Sequence, residues 1–206
     1  SKRAGISRQE VYERTRSLLT VMEEGVQKGL AGTSYDDRIL PSQSPGFARQ
    51  MGAGKLVKAD TLNSIIMHVS ALMEVKSSMG VRVAAPTAGS CGAMPGALLG
   101  VANSTGLDND SKIRGLLVAG LIGVFITERA TFAAELGGCM AECGSGSSMA
   151  AAAIVTMQGG DIEQALSAAS IALQNSFGMT CDPIANRVEA PCLGKNIMAA
   201  TNALSS

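Results

Sequence analysis

Three cysteines in loops marked by glycine or proline are the residues of this chain best suited to chemistry. Cys139 lies in ELGGCMAE, Cys181 in GMTCDP and Cys192 in EAPCLGKN. Three thiolates can hold a [4Fe-4S] cluster and leave one iron open to a substrate, which is typical of catalysis rather than electron transfer. Cysteine is also among the most buried residue types for packing reasons alone. Because the spacing is not a CxxC-type signature, inert core thiols remain the default interpretation of spacing alone.

A helical hairpin would bring these thiols together. The pattern over residues 149–175 predicts two helices, the second capped by Asp161, and an antiparallel pair returns the chain near its origin. That return would place Cys139 near the loop that holds Cys181. Cys192 follows at the end of the same loop, so all three could converge.

Cys143 competes with Cys139 as the first member of this set. The CxxxC spacing would place both sulfurs on one face of a helix, where they could bind a metal or form a redox pair. Gly137, Gly138 and Gly144 argue against a regular helix there. We therefore interpret Cys143 as a neighbour of the ligand rather than the ligand.

The loop AAPTAGSCGAMPG, residues 84–96, is a second candidate site. It matches neither the P-loop nor the GxGxxG pattern of phosphate binding. Its backbone N–H groups and the hydroxyls of Thr87 and Ser90 could instead cradle a carboxylate near a helix N-terminus. The alternative is a tight turn packed between helices.

Composition excludes several function classes. The 17 basic and 17 acidic residues balance without a basic block, so nucleic-acid binding has no electrostatic support. The most apolar run, residues 116–126, is far shorter than the roughly 20 residues of a membrane span. No signal-peptide pattern precedes it, which predicts a cytoplasmic protein with reduced thiols rather than disulfides. The only histidine, His68, lies mid-helix without a Ser or Asp motif, so a hydrolase triad has little support.

Hydrophobic periodicity predicts an all-α fold: a compact helical domain, residues 1–206, whose Gly/Pro-rich loops carry the site. Residues 33–54 are predicted to form a long irregular arm, and GSGSS at 144–148 to interrupt the helical pattern. A helix over about 111–131 is expected to be central because its apolar residues surround it. Other helices are predicted after the capping box at Ser7, and from Asp60, near Pro95, over 149–157, after Asp161 and from near Cys192.

Three segments together resemble the α chain, or catalytic α domain, of the iron–sulfur-dependent L-serine dehydratases. They are VRVAAPTAGSCGAMPGALLG, ELGGCMAECGSGSSMAAAA and GMTCDPIANRVEAPCLGKN, in matching order and spacing. The resemblance implies a [4Fe-4S] cluster held by Cys139, Cys181 and Cys192. It also makes the PTAG loop a substrate loop, with Thr87 and Gly89, joined by Ser90, at the substrate.

The same resemblance implies a PLP-independent lyase in amino-acid degradation and gluconeogenesis. Water is eliminated from L-serine with an open iron as Lewis acid, and the aminoacrylate hydrolyses to pyruvate and ammonia. The base is unassigned. The family's second, serine-contacting domain with its SSSHT-like motif is absent from this sequence. A β chain or β domain in an oligomer is therefore expected to supply the base.

Departures from the family pattern leave alternatives open. Cys143 stands where valine is usual, and Ser147 where many members have cysteine, so either Cys139 or Cys143 could be the first ligand. One alternative function is a cysteine desulfidase-type lyase with the same cluster chemistry. Another is a non-catalytic helical subunit with structural or redox cysteines.

Overall fold

A computed structural model of the protein describes residues 5–206, which form an all-α structure, as predicted. One π-helical turn, Met140–Gly144 (the π turn), joins the helix that ends at Cys139 to the helix that begins at Ser145. The only β pairing among residues 5–206 is an isolated bridge between Ile184 and Arg187. The helices are α1 (Arg8–Ala31), α2 (Ser44–Gly52), α3 (Asp60–Ser77), α4 (Ala93–Thr105), α5 (Asn109–Thr127), α6 (Ala134–Cys139), α7 (Ser145–Met157), α8 (Ile162–Gln174) and α9 (Glu189–Ser205).

Side-chain caps start three helices where the sequence provides a polar residue. The side chains of Ser7, Asp108 and Asp161 each accept a hydrogen bond from a backbone N–H of the first turn, at 3.0, 2.8 and 2.9 Å. Asp161 and Gln164 form a complete capping box. These bonds satisfy amide groups that the first turn of a helix leaves without a partner.

Helix α4 forms the centre of the fold. Every residue from Ala93 to Ala102 is buried. Helix α3 packs most closely on α4, and α7 and α9 also contact it. Two glycines permit this approach: a Cβ added at Gly100 would lie 2.6 Å from the Cα of Ile65, and one at Gly96 would lie 2.9 Å from the Cα of Val69. The backbones of α3 and α4 are therefore in near contact.

The prediction that the 111–131 helix is buried on all sides is wrong. Helix α5 packs against α7 and α1 on one side. Its other side exposes Leu117, Leu121, Val124 and Phe125 by 37% to 53%. The sequence of α5 resembles that of a core helix because apolar residues lie on every side of it. The central helix is instead α4, whose small side chains and glycines let the neighbouring helices approach closely. None of the helices described here has the combination of length and apolar character needed to cross a membrane.

The irregular arm predicted for residues 33–54 contains a helix, α2. Pro45 occupies its first turn, where the missing N–H needs no partner. The hydroxyl of the buried Ser44 donates to Glu74 Oε2 at 2.8 Å, and the Ser44 N–H donates to Glu74 Oε1 at 3.1 Å. Tertiary bonds to α3 therefore fix a helix in a stretch that proline and glycine made look irregular.

The break predicted at residues 144–148 is also absent, since α7 begins at Ser145 directly after the π turn. Its small residues are buried against neighbouring helices, and the Ser147 hydroxyl donates to the Ala199 carbonyl of α9 at 2.7 Å. A Cβ added at Gly146 would already lie 3.3 Å from the Cβ of Ala93. Close packing against α4 and α9 therefore outweighs the low helix propensity of glycine and serine.

Gly100→Ala is expected to lower the free energy of unfolding by about 1–3 kcal/mol, because the added methyl group meets the α3 backbone. Gly120→Ala is the matched control, since a Cβ there meets nothing within 4 Å. It should raise the stability by up to about 1 kcal/mol through helix propensity. Urea unfolding of both variants measures the difference. Equal effects would show that α3 and α4 are not in near contact.

Candidate active site

Four of the five cysteines gather where the π turn meets the segment before α9. We call Cys139, Cys143, Cys181 and Cys192 the cysteine site. The thiols of Cys143 and Cys181 both influence the pKa of Cys139, and the charges of Cys139 and Cys181 influence that of Cys192, so the four lie near one another. Cys181 is exposed and the other three are buried. The chain therefore returns to Cys139 after the α7–α8 hairpin, as the sequence predicts.

Gly138 allows the two cysteine-bearing segments to meet. Its φ of +65° is a conformation that side chains rarely adopt, and a Cβ there would lie 3.1 Å from the Met179 carbonyl oxygen. The next residue but one, Met140, donates its N–H to the same oxygen at 2.8 Å. The backbone contact holds Cys139 beside the loop that carries Cys181.

Lys195 brings a positive charge to the cysteine site. Its ammonium group donates to the Thr180 carbonyl and to the Asp182 carboxylate. Lys195 thereby ties the first turns of α9 to the residues on either side of Cys181. A fixed cation at this position stabilises nearby thiolates.

The two thiols of the CxxxC pair differ in proton affinity. Hydrogen bonding from Cys143 is the main reason that the pKa of Cys139 is lowered to about 6, and the charge of Lys195 adds to the effect. The same hydrogen bond and burial raise the pKa of Cys143. The pKa of Cys139 is therefore shifted towards the thiolate form and that of Cys143 away from it. Metals bind the thiolate form of cysteine, so this asymmetry favours Cys139 as a ligand.

Thr87, Gly89 and Ser90 lie together in residues 84–92, which we call the substrate loop after the role that the family resemblance predicts for it. Thr87 Oγ1 and Ser90 Oγ are 3.1 Å apart, and the Ser90 N–H donates to Thr87 Oγ1 at 3.2 Å. Ser90 is fully buried. Its hydroxyl is thus turned towards Thr87, where it shapes the loop.

A carboxylate links the substrate loop to the cysteine site. The Thr87 hydroxyl donates to Glu142 Oε1 at 2.6 Å. Glu142 lies in the π turn, next to Cys143. The extra residue that a π turn inserts re-aims side chains, and such turns are frequent at functional sites. No local sequence pattern marks Glu142 as a site residue.

Asn196 of α9 is a second site residue that sequence reasoning missed. It is fully buried, and its Oδ1 accepts from the backbone N–H groups of Gly92 and Ala93 at 3.1 and 2.8 Å. Its Nδ2 donates to the carbonyls of Gly89 and Cys192 at 2.9 and 2.8 Å. One side chain thereby locks the substrate loop to the start of the helix that carries Cys192. The available signal was an amide four residues after Cys192, one helical turn further along α9.

His68 lies away from the site, in the core. Its Nδ1 is 2.7 Å from the Ser64 carbonyl oxygen and its Nε2 is 2.8 Å from Asn103 Nδ2. Burial lowers its pKa. Both ring nitrogens have partners, so His68 is a packed histidine, in line with the little support that the sequence gives to a hydrolase triad.

The chain is similar to known proteins over its whole length. The serine dehydratase alpha chain family profile matches residues 1–206. The chain is 37% identical to the probable L-serine dehydratase alpha chain of Bacillus subtilis, across 96% of this chain and 66% of that protein. It is 39% identical to the L-serine dehydratase alpha chain of Peptoniphilus asaccharolyticus, across 100% of this chain and 70% of that one.

Longer relatives match over a smaller part of their length. The chain is 32% identical to the L-serine dehydratase TdcG of Escherichia coli, across 90% of this chain and 42% of that protein. It thus spans about two thirds of the relatives named as alpha chains and less than half of TdcG. The profile match runs over the whole sequence, and the chain belongs to the serine dehydratase alpha chain family.

Proposed function

We propose that this chain is the catalytic α part of a [4Fe-4S]-dependent L-serine dehydratase. The enzyme would be a PLP-independent carbon–oxygen lyase of the cytoplasm that converts L-serine to pyruvate and ammonia. The observation that carries the proposal is the Thr87–Glu142 hydrogen bond, because it joins the substrate loop to the cysteine site. Family membership supports the reaction class.

The donor set of the cysteine site suits an iron–sulfur cluster. Within residues 5–206, no three His, Cys, Asp or Glu side chains converge as they would on a single metal ion. Ligands of one ion all approach the same centre, at about 2.3 Å for sulfur on zinc. A four-iron cluster is held by thiolates on separate irons, so its ligands lie further apart. Neighbouring thiols with no histidine among them fit that group.

Cys139, Cys181 and Cys192 would hold the cluster, with Cys143 as the competing first ligand. When bound, a cluster with one iron free of protein ligands supplies a Lewis acid for the departing hydroxyl group. Lys195 stabilises the thiolates by its charge. Exposure of Cys181 leaves one side of the site accessible, whereas the buried positions of Cys139 and Cys192 exclude water from the other side.

The substrate loop would orient the amino acid beside the cluster. Its backbone N–H groups and the Thr87 hydroxyl are donors suited to a carboxylate. Asn196 holds the loop in place through Gly89, Gly92 and Ala93. A loop fixed in advance lowers the entropic cost of positioning the substrate for elimination.

The proposal includes a β chain or β domain that supplies the base for the α-proton, in an oligomeric enzyme. Two relatives carry the name alpha chain, which implies a partner chain. The proposed substrate is a small amino acid, and the proposed reaction involves neither nucleic acid nor a membrane. If this chain alone, with its cluster rebuilt, dehydrated serine at full rate, the β partner would be unnecessary.

The test is anaerobic reconstitution of the α chain together with its β chain, using iron and sulfide. We expect a brown protein with broad absorbance at about 400 nm, typical of iron–sulfur clusters, and pyruvate formation from L-serine. Cys192→Ala should lose both signals. Cys91→Ala is the matched control, since burial raises the pKa of that thiol to about 11 and keeps it protonated.

Other outcomes separate the alternatives. Sulfide release from L-cysteine at a higher kcat/KM than pyruvate formation from L-serine would make the protein a desulfidase-type lyase. A colourless protein with five titratable thiols after reconstitution would contradict the enzyme proposal. It would favour a helical subunit with structural or redox cysteines.

A further inference from the structure

Glu142 is a carboxylate without an ionic partner among residues 5–206. The four ion pairs in that range do not include it. Its hydrogen-bond donor is the Thr87 hydroxyl, which binds Oε1 at 2.6 Å. Glu142 is half-buried at the junction of the substrate loop and the π turn. A half-buried carboxylate with a neutral partner retains strong affinity for a cation.

Gly89 makes room for this carboxylate. A Cβ added at residue 89 would lie 2.7 Å from both carboxylate oxygens of Glu142. The carboxylate therefore rests against the backbone of the substrate loop, and any side chain at this position would displace it. The absence of a side chain at Gly89 fixes where the negative charge stands.

The position is unfavourable for holding thiolates. Glu142 stands next to Cys143 and three residues after Cys139, at the cysteine site whose thiols would be anionic as cluster ligands. Like charges that stand near one another repel, and partial burial strengthens the repulsion. A positively charged group bound next to Glu142 would relieve it. The α-ammonium of an amino acid is a cation that the proposed reaction supplies.

We propose that Glu142 binds the α-ammonium group of the substrate and so selects α-amino acids over hydroxy acids that lack the amine. This inference rests on the proposed function. Thr87 is the positioning residue: its hydroxyl engages Oε1 and leaves Oε2 for the ammonium N–H groups. The substrate loop then holds the carboxylate end of the amino acid, and Glu142 the amine.

The test compares two ligands that differ by the amine. In the reconstituted holoenzyme with its β chain, Glu142→Gln should raise the KM for L-serine about 10- to 100-fold, the loss expected for one charge-assisted hydrogen bond. Inhibition by 3-hydroxypropanoate, which is serine without its amine, should be unchanged. The absorbance at about 400 nm per chain should also be unchanged, because glutamine preserves the fold of the π turn.

Matched variants identify the cause. Glu135→Gln removes the same charge from an exposed position on α6. It should leave the KM for L-serine and the inhibition constant of 3-hydroxypropanoate unchanged. Gly89→Ala keeps the charge but displaces the Glu142 carboxylate, so it should raise the KM for L-serine while 3-hydroxypropanoate inhibition changes less. Equal losses for both ligands in Glu142→Gln would overturn the inference, as would a collapse of kcat with KM unchanged.

Calorimetric binding of L-alanine distinguishes this inference from the proposed function. L-alanine has the amine but no hydroxyl group to eliminate, so it reports recognition without the reaction. Weaker L-alanine binding by Glu142→Gln than by the unmutated protein supports the ammonium contact even if L-serine yields no pyruvate. Unchanged L-alanine binding overturns the contact even if pyruvate forms.

Discussion

Cys139→Ser is expected to abolish both the iron–sulfur absorbance and the lyase activity, whereas Cys143→Ser should keep most of each. Cys139 has a pKa lowered to about 6 and stands near Lys195, so it offers a thiolate. Hydrogen bonding with Cys139 and burial raise the pKa of Cys143. A serine hydroxyl at 143 can still donate to the Cys139 thiolate.

The measurement is iron and sulfide content per chain after anaerobic reconstitution, with the absorbance spectrum and the rate of pyruvate formation. Both variants change one sulfur to oxygen in the same five-residue span, so each controls for the volume change in the other. The reverse result, with iron lost in Cys143→Ser and retained in Cys139→Ser, would make Cys143 the first ligand. Retention of the cluster in both variants would remove the CxxxC pair from the ligand set.

Asn196→Leu is expected to lower the free energy of unfolding by about 3–5 kcal/mol, because it leaves buried backbone groups without partners. Two N–H groups, of Gly92 and Ala93, lose their acceptor, and the Gly89 and Cys192 carbonyls lose their donor. The substrate loop would also lose its attachment to α9. We therefore expect pyruvate formation to fall below about 1% of the unmutated rate, since small displacements of positioned groups cost about 100-fold.

Two further variants separate stability from positioning. Asn202→Leu removes an amide on the same helix that binds Ser147 Oγ and the Ala172 carbonyl, away from the substrate loop. It should lower stability in urea unfolding while the KM for L-serine stays unchanged. Asn196→Asp retains both accepted hydrogen bonds and loses the donated ones, to the Gly89 and Cys192 carbonyls and to the Cys143 sulfur, so it should fold but raise that KM. An unchanged KM in Asn196→Asp would show that this residue acts on stability alone.

Local sequence patterns predicted most of the helices for identifiable reasons. Apolar spacing and caps such as Asp161 depend on residues within one turn, so they are visible in the sequence. Helix α2 was missed because the bonds that fix Ser44 come from Glu74, thirty residues away. The start of α7 was missed because small residues favour a helix there only through packing against α4 and α9.

The residues of the site also fall into those that the sequence could reveal and those that only the folded structure shows. Family resemblance and hairpin geometry pointed to Cys139 and Cys181, which the structure brings together. Neither Glu142 nor Asn196 belongs to a local pattern with a chemical meaning. Both residues matter because they contact Gly89 of the substrate loop, which is far away in the sequence. The Glu142 carboxylate packs against Gly89 across 53 residues, and the Asn196 amide donates to the Gly89 carbonyl across 107 residues. Such contacts exist only once the helices are packed.

Mössbauer spectroscopy of the enzyme reconstituted with ⁵⁷Fe tests the central claim most directly, namely that three cysteines hold a four-iron cluster with one iron open to the substrate. We expect the spectrum of such a cluster, in which about a quarter of the iron signal shifts when L-serine is added, because one iron in four lacks a cysteine ligand. Signals that L-serine leaves unchanged, or iron bound only as single ions, would contradict the account.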